Sequence, residues 1–297
     1  MKASFERIPG LTLAIVSLAV GAAFPIGALA DILGQPTPGG IDFQPAASQI
    51  RRDQIAFHNH ILLPIIVGIA LLVLVLLLIC VFRFNHRVNP TPARWSHNTP
   101  VEVAWTVLPV LILMFIAIFS FRLLFEEHDM PRPYMTVKVT GRQWNWDYEY
   151  PDQKIAAITS TLKSEADAKA AGQPYKLAAN APMMAPLGKV VRVQVTAEDV
   201  IHSFSVPAFG IKIDAIPGRL NETWFKADHT GVFYGQCSQL CGIDHAFMPI
   251  EVNVVTQPQF DAWVASKAPK PAPITVAAAS PAPGVAATTA PAPAAGQ

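Results

Sequence analysis

The sequence predicts a hairpin of two membrane-spanning helices followed by an all-β sandwich, with an N-terminal signal peptide and a disordered C-terminal tail. Two long apolar segments predict the helices, and short alternating runs rich in Val, Tyr, Trp and Thr predict the sheets. Hydrophobic residues make up 52% of the 297 residues and charged residues only 14%, which is apolar for a soluble protein. The net charge of +1 gives no field that would attract nucleic acid.

The N-terminus has the order of parts typical of a secretory signal peptide over residues 1–30. Lys2 and Arg7 precede an apolar stretch (11–24), which is followed by a small-residue site of the kind that signal peptidase cleaves. The alternative is a retained membrane helix, but the short apolar run and this ending favour cleavage. Residues 31–54 then form an extracytoplasmic N-terminal segment of the mature chain.

Two apolar segments, Ile61–Phe82 and Trp105–Leu124, predict a membrane hairpin within residues 55–130. The first contains no charged residue and the second only Arg122 near its end, and each is close to the roughly 20 residues that cross the hydrocarbon core. A pair of buried core helices is the alternative. The stretch Leu71–Ile79 favours membrane spans, because it has no polar face.

The loop between the two spans sets their orientation. It contains Arg83, Arg87 and Arg94 and no acidic residue before Glu102. The positive-inside rule therefore places it in the cytoplasm, and both mature termini on the other side of the membrane. The predicted signal peptide gives the same orientation independently.

Residues 131–266 have the pattern of an all-β domain. Met135–Thr140 and Val191–Thr196 alternate between apolar and polar residues, and glycine and proline separate the runs. Several short strands with turn residues between them indicate a sandwich or a barrel. Residues 161–182, rich in Ala and Lys, interrupt the pattern and predict an inserted excursion that is at most partly helical. The Ala/Pro-rich residues 267–297 lack the apolar side chains of a packed core, which predicts disorder. The other predicted strands are Thr223–Lys226, Val232–Tyr234 and Ile250–Val254.

One short segment has the side chains of a soft-metal site. Cys237, Cys241, His245 and Met248 fall close together, and thiolate, thioether and imidazole groups all suit copper. A single blue copper uses one cysteine, so the second thiolate makes a dinuclear centre with bridging thiolates chemically reasonable. His202, just past a predicted strand, is the candidate for the second imidazole, because loops at the end of a sandwich bring distant ligands together.

Three other interpretations of this segment compete with copper. Cys237 and Cys241 could form a disulfide in an oxidising compartment, but His245 and Met248 would then be unexplained. Zinc is a second possibility, although methionine is a poor zinc ligand. Met248 could also be an ordinary core residue. Cys80, inside the first span, is expected to pack as a small hydrophobic residue.

At several motifs the chain resembles subunit 2 of cytochrome c oxidase. The resemblance covers about residues 40 to 265, and the copper motif is its most specific part. Residues 161–182 and the tail carry none of the family's motifs, while the signal peptide and the tail are typical of bacteria. The matching motifs are Val101–Thr106, Gln143–Trp146, Asp214–Arg219, Tyr234–Cys237, Cys241–Gly242 and His245–Ile250.

The resemblance implies a cupredoxin-type sandwich that holds the dinuclear CuA centre. Cys237 and Cys241 would bridge two copper ions. One copper would also bind the imidazole of His202 and the thioether of Met248. The other would bind the imidazole of His245 and the backbone carbonyl of Gln239.

The resemblance also implies the function of an oxidase subunit. CuA would accept electrons from cytochrome c and pass them to haem in catalytic subunit 1, where oxygen is reduced to water with proton pumping. Other oxidase subunits would be further partners. The chain would lie in the bacterial inner membrane with its copper domain in the periplasm. A relay of this kind needs no open coordination position, and the oxygen-reducing site is not in this chain.

Trp144 matches the tryptophan through which electrons reach the family's copper, and is expected on the surface where cytochrome c docks. Its alternative role is packing against the sandwich, as expected of Trp146. Acidic side chains nearby would attract the basic face of cytochrome c, although each alone is an ordinary solvated carboxylate. The candidate docking acids are Asp147, Glu149, Asp199, Asp214 and Asp244.

Two further residues are compared with the family pattern. Glu102, at the cytoplasmic start of the second span, matches a residue at the mouth of a proton-uptake path; its alternative role is to stabilise the helix start. Gln239 stands where the family usually has a Glu whose side chain binds magnesium at the boundary with subunit 1. Because Gln lacks the negative charge that a hard cation prefers, we expect a weakened or absent contribution to magnesium.

Three other functions remain as alternatives. A quinol oxidase subunit would share the spans and the sandwich but lack the copper ligands, which are present. A nitrous oxide reductase also carries CuA, but has a large extra domain for which this chain has no room. A membrane-tethered cupredoxin that shuttles electrons alone is the third, and purification without haem subunits would support it.

Overall fold

The computed structural model describes residues 32–267. The predicted signal peptide, and the tail beyond residue 267, lie outside the described residues. Two long helices come first and a two-sheet sandwich follows, so the predicted helical hairpin and β-sandwich are confirmed.

The hairpin consists of two helices that are long and apolar enough to cross a membrane. The first runs without a break from Gln49 to Arg83. It has three parts: α1 (Gln49–Phe57), a π-helical turn (His58–Leu62) and α2 (Leu63–Arg83). The second, α3, covers Thr99–His128. No side chain of α2 or α3 is buried within the described chain, so both present apolar surface to lipid or to other subunits.

The first helix starts well before the predicted span. The sequence predicts a span from Ile61, but the helix begins at Gln49, where Ser48 Oγ accepts a hydrogen bond from Arg51 N (3.1 Å). Ser48 is therefore the N-cap. Hydropathy cannot locate this start, because the part of a helix outside the hydrocarbon core needs no apolar residues.

The sandwich contains ten strands in two sheets of five. The strands are β1 (Met135–Arg142), β2 (Asn145–Tyr150), β3 (Ile155–Ser160), β4 (Met183–Pro186), β5 (Val191–Ala197), β6 (His202–Val206), β7 (Ile211–Ala215), β8 (Asn221–Phe225), β9 (Gly231–Cys237) and β10 (Pro249–Val255). The first sheet has the order β3-β2-β1-β5-β8 and the second β4-β10-β9-β6-β7. Alternate residues of β1 and β5 are buried, as their sequence pattern predicts.

Two short helices complete the domain. The excursion over residues 161–182 contains α4 (Glu165–Ala170), which confirms the prediction that it is at most partly helical. A second helix, α5 (Gln257–Lys267), follows the last strand and was not predicted. Phe260 of α5 is 2% exposed in the core, so the helix covers part of the sandwich.

Three strands of the second sheet bring the candidate metal residues to one end of the sandwich. β9 ends at Cys237 and pairs with β10, so the loop 238–248 joins two neighbouring strand ends. β6 pairs with β9 through Phe204 and Cys237, which places the start of β6 beside that loop. His202 is the first residue of β6, and not a residue of the preceding loop as the sequence predicts.

A hydrogen-bonded joint connects the hairpin to the sandwich. Gln54 Nε2 donates to the carbonyl of Gly210 (2.8 Å) and to Glu127 Oε1 (2.8 Å). Trp224 Nε1 donates to the carbonyl of Glu127 (3.0 Å). The joint thus links α1, α3 and both sheets, and it fixes the sandwich relative to the two helices.

Candidate metal centre

Two free thiols form the middle of the site. Cys237 Sγ and Cys241 Sγ are 3.8 Å apart and both residues are buried. A disulfide has its sulfur atoms about 2.05 Å apart, so the two cysteines are not joined. Two thiol groups at this separation can both reach a metal ion placed between them.

The other four predicted donors surround these thiols. His202 Nδ1 lies 4.0 Å from Cys237 Sγ, and the carbonyl oxygen of Gln239 lies 3.3 Å from the same sulfur. His245 Nδ1 and Met248 Sδ lie 3.4 Å and 3.5 Å from Cys241 Sγ. The fold therefore brings together all six groups that the sequence analysis singles out.

The chemistry of this donor set fits copper. Nitrogen and sulfur atoms of His202, Cys237 and Cys241 lie within 4.8 Å of one another. Two thiolates with imidazole and thioether groups are soft donors, which select copper over hard cations such as magnesium. Met248 is 1% exposed with its sulfur against a cysteine sulfur, a position that a zinc site would not use.

The two cysteines differ in their acidity. Burial by itself raises the pKa of Cys237, but hydrogen bonds with His202 and with the backbone of Ser203 and Gln239 lower it to about 6. Burial and the nearby Cys237 raise the pKa of Cys241 to about 12. The first thiolate of the pair is therefore stabilised by its hydrogen bonds, and its charge opposes ionisation of the second thiol.

Asp199 orients the imidazole of His202. Its Oδ1 lies 2.9 Å from His202 Nε2, and its carboxylate also accepts hydrogen bonds from the backbone N–H groups of Gln143 (2.7 Å) and Val200 (2.6 Å). With Nε2 donating to Asp199, Nδ1 is free to face Cys237, which is the arrangement of a metal-binding histidine held by a carboxylate. Burial alone would lower the pKa of His202, but Cys237 and Asp199 raise it.

Gln143 and Trp144 hold the second cysteine from the other side. Gln143 Nε2 and Trp144 Nε1 donate to the carbonyl oxygen of Cys241, at 2.7 Å and 3.3 Å. Trp144 is partly exposed and packs against the core, so it connects the surface to the loop 238–248, here named the metal loop. Sequence reasoning missed Gln143, whose only signal is its place in the motif Gln143–Trp146.

Trp146 is fully buried, as expected, and supports the site from inside the sandwich. Its Nε1 donates to the carbonyl oxygen of Met248 (3.3 Å). Its ring meets the His202 ring edge-on with centroids 5.9 Å apart. The two tryptophans therefore have different positions, one at the surface and one in the core.

The prediction that Asp147 is a docking acid is wrong. Asp147 is 4% exposed, and its carboxylate accepts a hydrogen bond from Thr159 Oγ1 (2.6 Å) and pairs with Arg142 Nη2 (3.2 Å). A carboxylate satisfied in this way is not offered to a partner. Asp214 is exposed and stays a candidate, as do the partly buried acids Glu149 and Asp244.

Glu102 takes part in the cap of α3. Its Oε1 accepts a hydrogen bond from Asn98 N (3.1 Å), while Asn98 Oδ1 accepts one from Val101 N (3.3 Å). These contacts satisfy N–H groups at the helix start. The structure thus shows the stabilising role, and the role in proton uptake stays a prediction.

The fold and the site define a class of protein. A cupredoxin-like sandwich, anchored by two apolar helices, holds a candidate copper site of cysteine, histidine and methionine side chains at one end. Residues 36–123 match the family profile described as Cytochrome C oxidase subunit II, transmembrane domain, and residues 135–255 match the one described as Cytochrome C oxidase subunit II, periplasmic domain. The chain therefore belongs to the cytochrome c oxidase subunit II family and is membrane-anchored.

Two relatives agree with this assignment, and one solved structure is also similar in sequence. The cytochrome c oxidase subunit 2 of Cereibacter sphaeroides is 44% identical over an alignment of 250 positions that covers 79% of this chain and 82% of that protein. A probable cytochrome c oxidase subunit 2 of Rickettsia bellii is 46% identical over 233 residues, covering 78% of this chain and 86% of that protein. The crystal structure of the periplasmic domain of cytochrome oxidase subunit II of Bradyrhizobium japonicum is 53% identical, covers 46% of this chain and 96% of that one, and has a TM-score of 0.43.

Proposed function

We propose that this chain is the electron-accepting subunit of a cytochrome c oxidase, and that its site holds two copper ions as a CuA centre. The observation that supports this most is the cluster of six donor groups around two free thiols 3.8 Å apart. Cys237 and Cys241 would supply thiolates to the copper, and His202 and His245 would supply imidazoles. Met248 and the carbonyl of Gln239 would complete the donor set.

Bound copper would supply a centre that gains and loses one electron. The protein's contribution is to hold the donors so that little moves when the charge changes. Asp199 fixes the His202 ring, and Trp146 fixes the Met248 backbone. Gln143 and Trp144 fix the Cys241 backbone. These supports come from strand β2, the β1–β2 turn and the β5–β6 loop, so the fold itself holds the donors before any metal binds.

The surroundings of the site support the route of electron flow that we propose. Trp144 is a partly exposed aromatic residue that contacts the Cys241 carbonyl, which supports it as the entry point for electrons from cytochrome c. Asp214, exposed on β7, is positioned to attract the basic face of that donor. The acceptor is haem in catalytic subunit 1. The arginine-rich loop between the spans favours a cytoplasmic position, which puts the copper domain in the periplasm.

Copper loading of the full-length chain in detergent tests this function. We expect two copper ions per chain and the electron paramagnetic resonance spectrum of a mixed-valence pair. Ferrocytochrome c should reduce this centre, and Trp144→Leu should slow the reduction while keeping a mixed-valence copper spectrum, because Gln143 Nε2 still donates to the Cys241 carbonyl (2.7 Å). A single-copper spectrum in the wild-type chain, or none, would overturn the proposal.

The magnesium site of the assembled oxidase gives a separate prediction. Gln239 is exposed, and its side chain is neutral where a carboxylate would help to bind a hard cation. We expect Gln239→Glu to raise magnesium or manganese occupancy without changing the copper spectrum. Metal analysis of both assembled enzymes makes the comparison, and equal, tight occupancy in the two would contradict it.

A further inference from the structure

A buried carboxylate lies on the outer face of the second sheet, near the metal loop. Glu251 is 2% exposed and sits in β10 opposite Tyr234 of β9. Its neighbours Ile250 and Val252 are fully buried in the core, so Glu251 points to the other face of the strand. A carboxylate on an outer face is normally solvated, and burying one is unfavourable unless hydrogen bonds compensate.

The excursion over residues 161–182 supplies those hydrogen bonds. Ala179 N donates to Glu251 Oε2 (2.8 Å), and Gln173 Nε2 donates to Glu251 Oε1 (3.1 Å). Lys163 Nζ donates in turn to Gln173 Oε1, so a cation polarises the amide that faces the carboxylate. Both carboxylate oxygens are therefore satisfied by the excursion alone.

Apolar packing and a closed base keep the excursion in place. Ala168 and Ala178 are fully buried against Tyr234, the cross-strand partner of Glu251. Asn180 N donates to the carbonyl oxygen of Thr161 (3.0 Å), which joins the two ends of the excursion. The excursion thus covers the paired strands β9 and β10.

The same strands and the same excursion reach the metal ligands. β9 ends at Cys237, shortly after Tyr234, and β10 begins immediately after Met248, shortly before Glu251, so the excursion contacts both strands close to the metal loop. Lys176 Nζ lies 5.1 Å from the ring centroid of Phe247, the residue before Met248. Lys176 has a φ of +73°, a conformation that is uncommon for lysine. The contact between Lys176 and Phe247 therefore joins the excursion to the loop itself as well as to the two strands that lead into it.

We propose that residues 161–182 are a brace for the metal loop and that Glu251 is the positioning residue that fastens it. The brace holds β9 and β10 together where they lead into the loop 238–248, and so it keeps the copper donors at their separation before metal binds. The inference rests on the proposed copper function for its purpose. The restraint of the loop 238–248 by residues 161–182 can be measured in the metal-free chain.

Hydrogen exchange of the metal-free, full-length chain tests the brace directly. Glu251→Leu removes the acceptor of Ala179 N, and we expect exchange of the amides in the loop 238–248 to become about tenfold faster. Lys176→Asn removes the cation while suiting the left-handed backbone, and should produce a smaller increase in the same amides. Glu222→Leu, an exposed carboxylate on β8, is the control and should change nothing in the loop.

Copper release into a chelator then tests the consequence for the metal. We expect Glu251→Leu to lose copper about tenfold faster than the wild-type chain, with a broadened copper spectrum, and Glu222→Leu to match the wild type. If Glu251→Leu does not fold, Lys176→Asn decides both measurements. If hydrogen exchange in the loop 238–248 were unchanged in the variant, the proposed role of residues 161–182 would be wrong, even if the variant had a lower melting temperature. A wild-type chain without a dinuclear copper spectrum would instead overturn the proposed function, and loop exchange would still decide the brace.

Discussion

Cys241→Ser should abolish the dinuclear copper spectrum and reduce electron transfer from ferrocytochrome c to background. A serine hydroxyl is a hard, weakly acidic group and does not replace a bridging thiolate. The remaining donors are one cysteine, two histidines and one methionine, which is the donor set of a mononuclear blue-copper site. We therefore expect bound copper to fall from two ions to one per chain. Metal analysis, electron paramagnetic resonance and stopped-flow reduction of the full-length chain measure the three effects.

Cys80→Ser is the matched control for this change. Cys80 lies in α2, inside the membrane-spanning hairpin, and is remote in sequence from the metal loop. The same cysteine-to-serine replacement should there leave copper content, spectrum and reduction rate unchanged. Retention of two coppers and of rapid reduction in Cys241→Ser would show that Cys241 is not a bridging ligand.

The order of the elements could be predicted from sequence because it follows from patterns with a direct physical cause. Apolar runs about as long as a bilayer core predict helices, and period-two alternation predicts strands with one buried face. The start of α1 at Gln49 and the whole of α5 were not predictable in this way. Both depend on a cap and on tertiary packing, as for Ser48 at the start of α1 and Phe260 in α5.

The cluster of candidate metal donors was also predictable, since most of them are close together in sequence and their residue types are rarely combined. His202 required a topological argument, and the structure places it in a strand instead of a loop. The groups that hold the donors gave no such signal. Gln143 acts through an amide that reaches the Cys241 carbonyl, and Glu251 acts through a distant excursion. Contacts of this kind depend on how segments that are distant in sequence meet in the folded domain.

The acidic residues show most clearly that contacts between distant segments cannot be predicted from sequence. From its position near the site motifs, each carboxylate is expected to be solvated and available for docking. Asp147 is instead buried by its strand position and satisfied by Thr159 and Arg142. Asp199 lies close to Trp144 in the expected docking surface, but its carboxylate already forms hydrogen bonds with His202 and with two backbone N–H groups. Whether a carboxylate steers a partner or positions a ligand is decided by these contacts.

Asp199→Asn should therefore weaken copper binding and leave docking largely intact. The substitution keeps the size of the side chain but removes the negative charge that His202 Nε2 contacts at 2.9 Å. Loss of a partner that orients a metal-binding histidine typically reduces metal affinity by about 10- to 100-fold. The reduction potential of the copper centre should also rise, because the imidazole becomes a weaker electron donor and the site loses a nearby negative charge. Competition with a chelator and a redox titration of the full-length chain measure these two quantities.

Asp214→Asn provides the comparison that separates positioning from steering. Asp214 is exposed, and its side chain contacts none of the metal donors. We expect this variant to keep wild-type copper affinity and potential, and to show a slower reaction with cytochrome c whose dependence on salt is reduced. Asp199→Asn should show the opposite pattern, with an altered centre and an unchanged salt dependence. If Asp199→Asn instead changed only the salt dependence, Asp199 would be a docking acid after all, and the hydrogen bond to His202 would have little effect on the metal. The pair of variants thus assigns each carboxylate by the property that it changes.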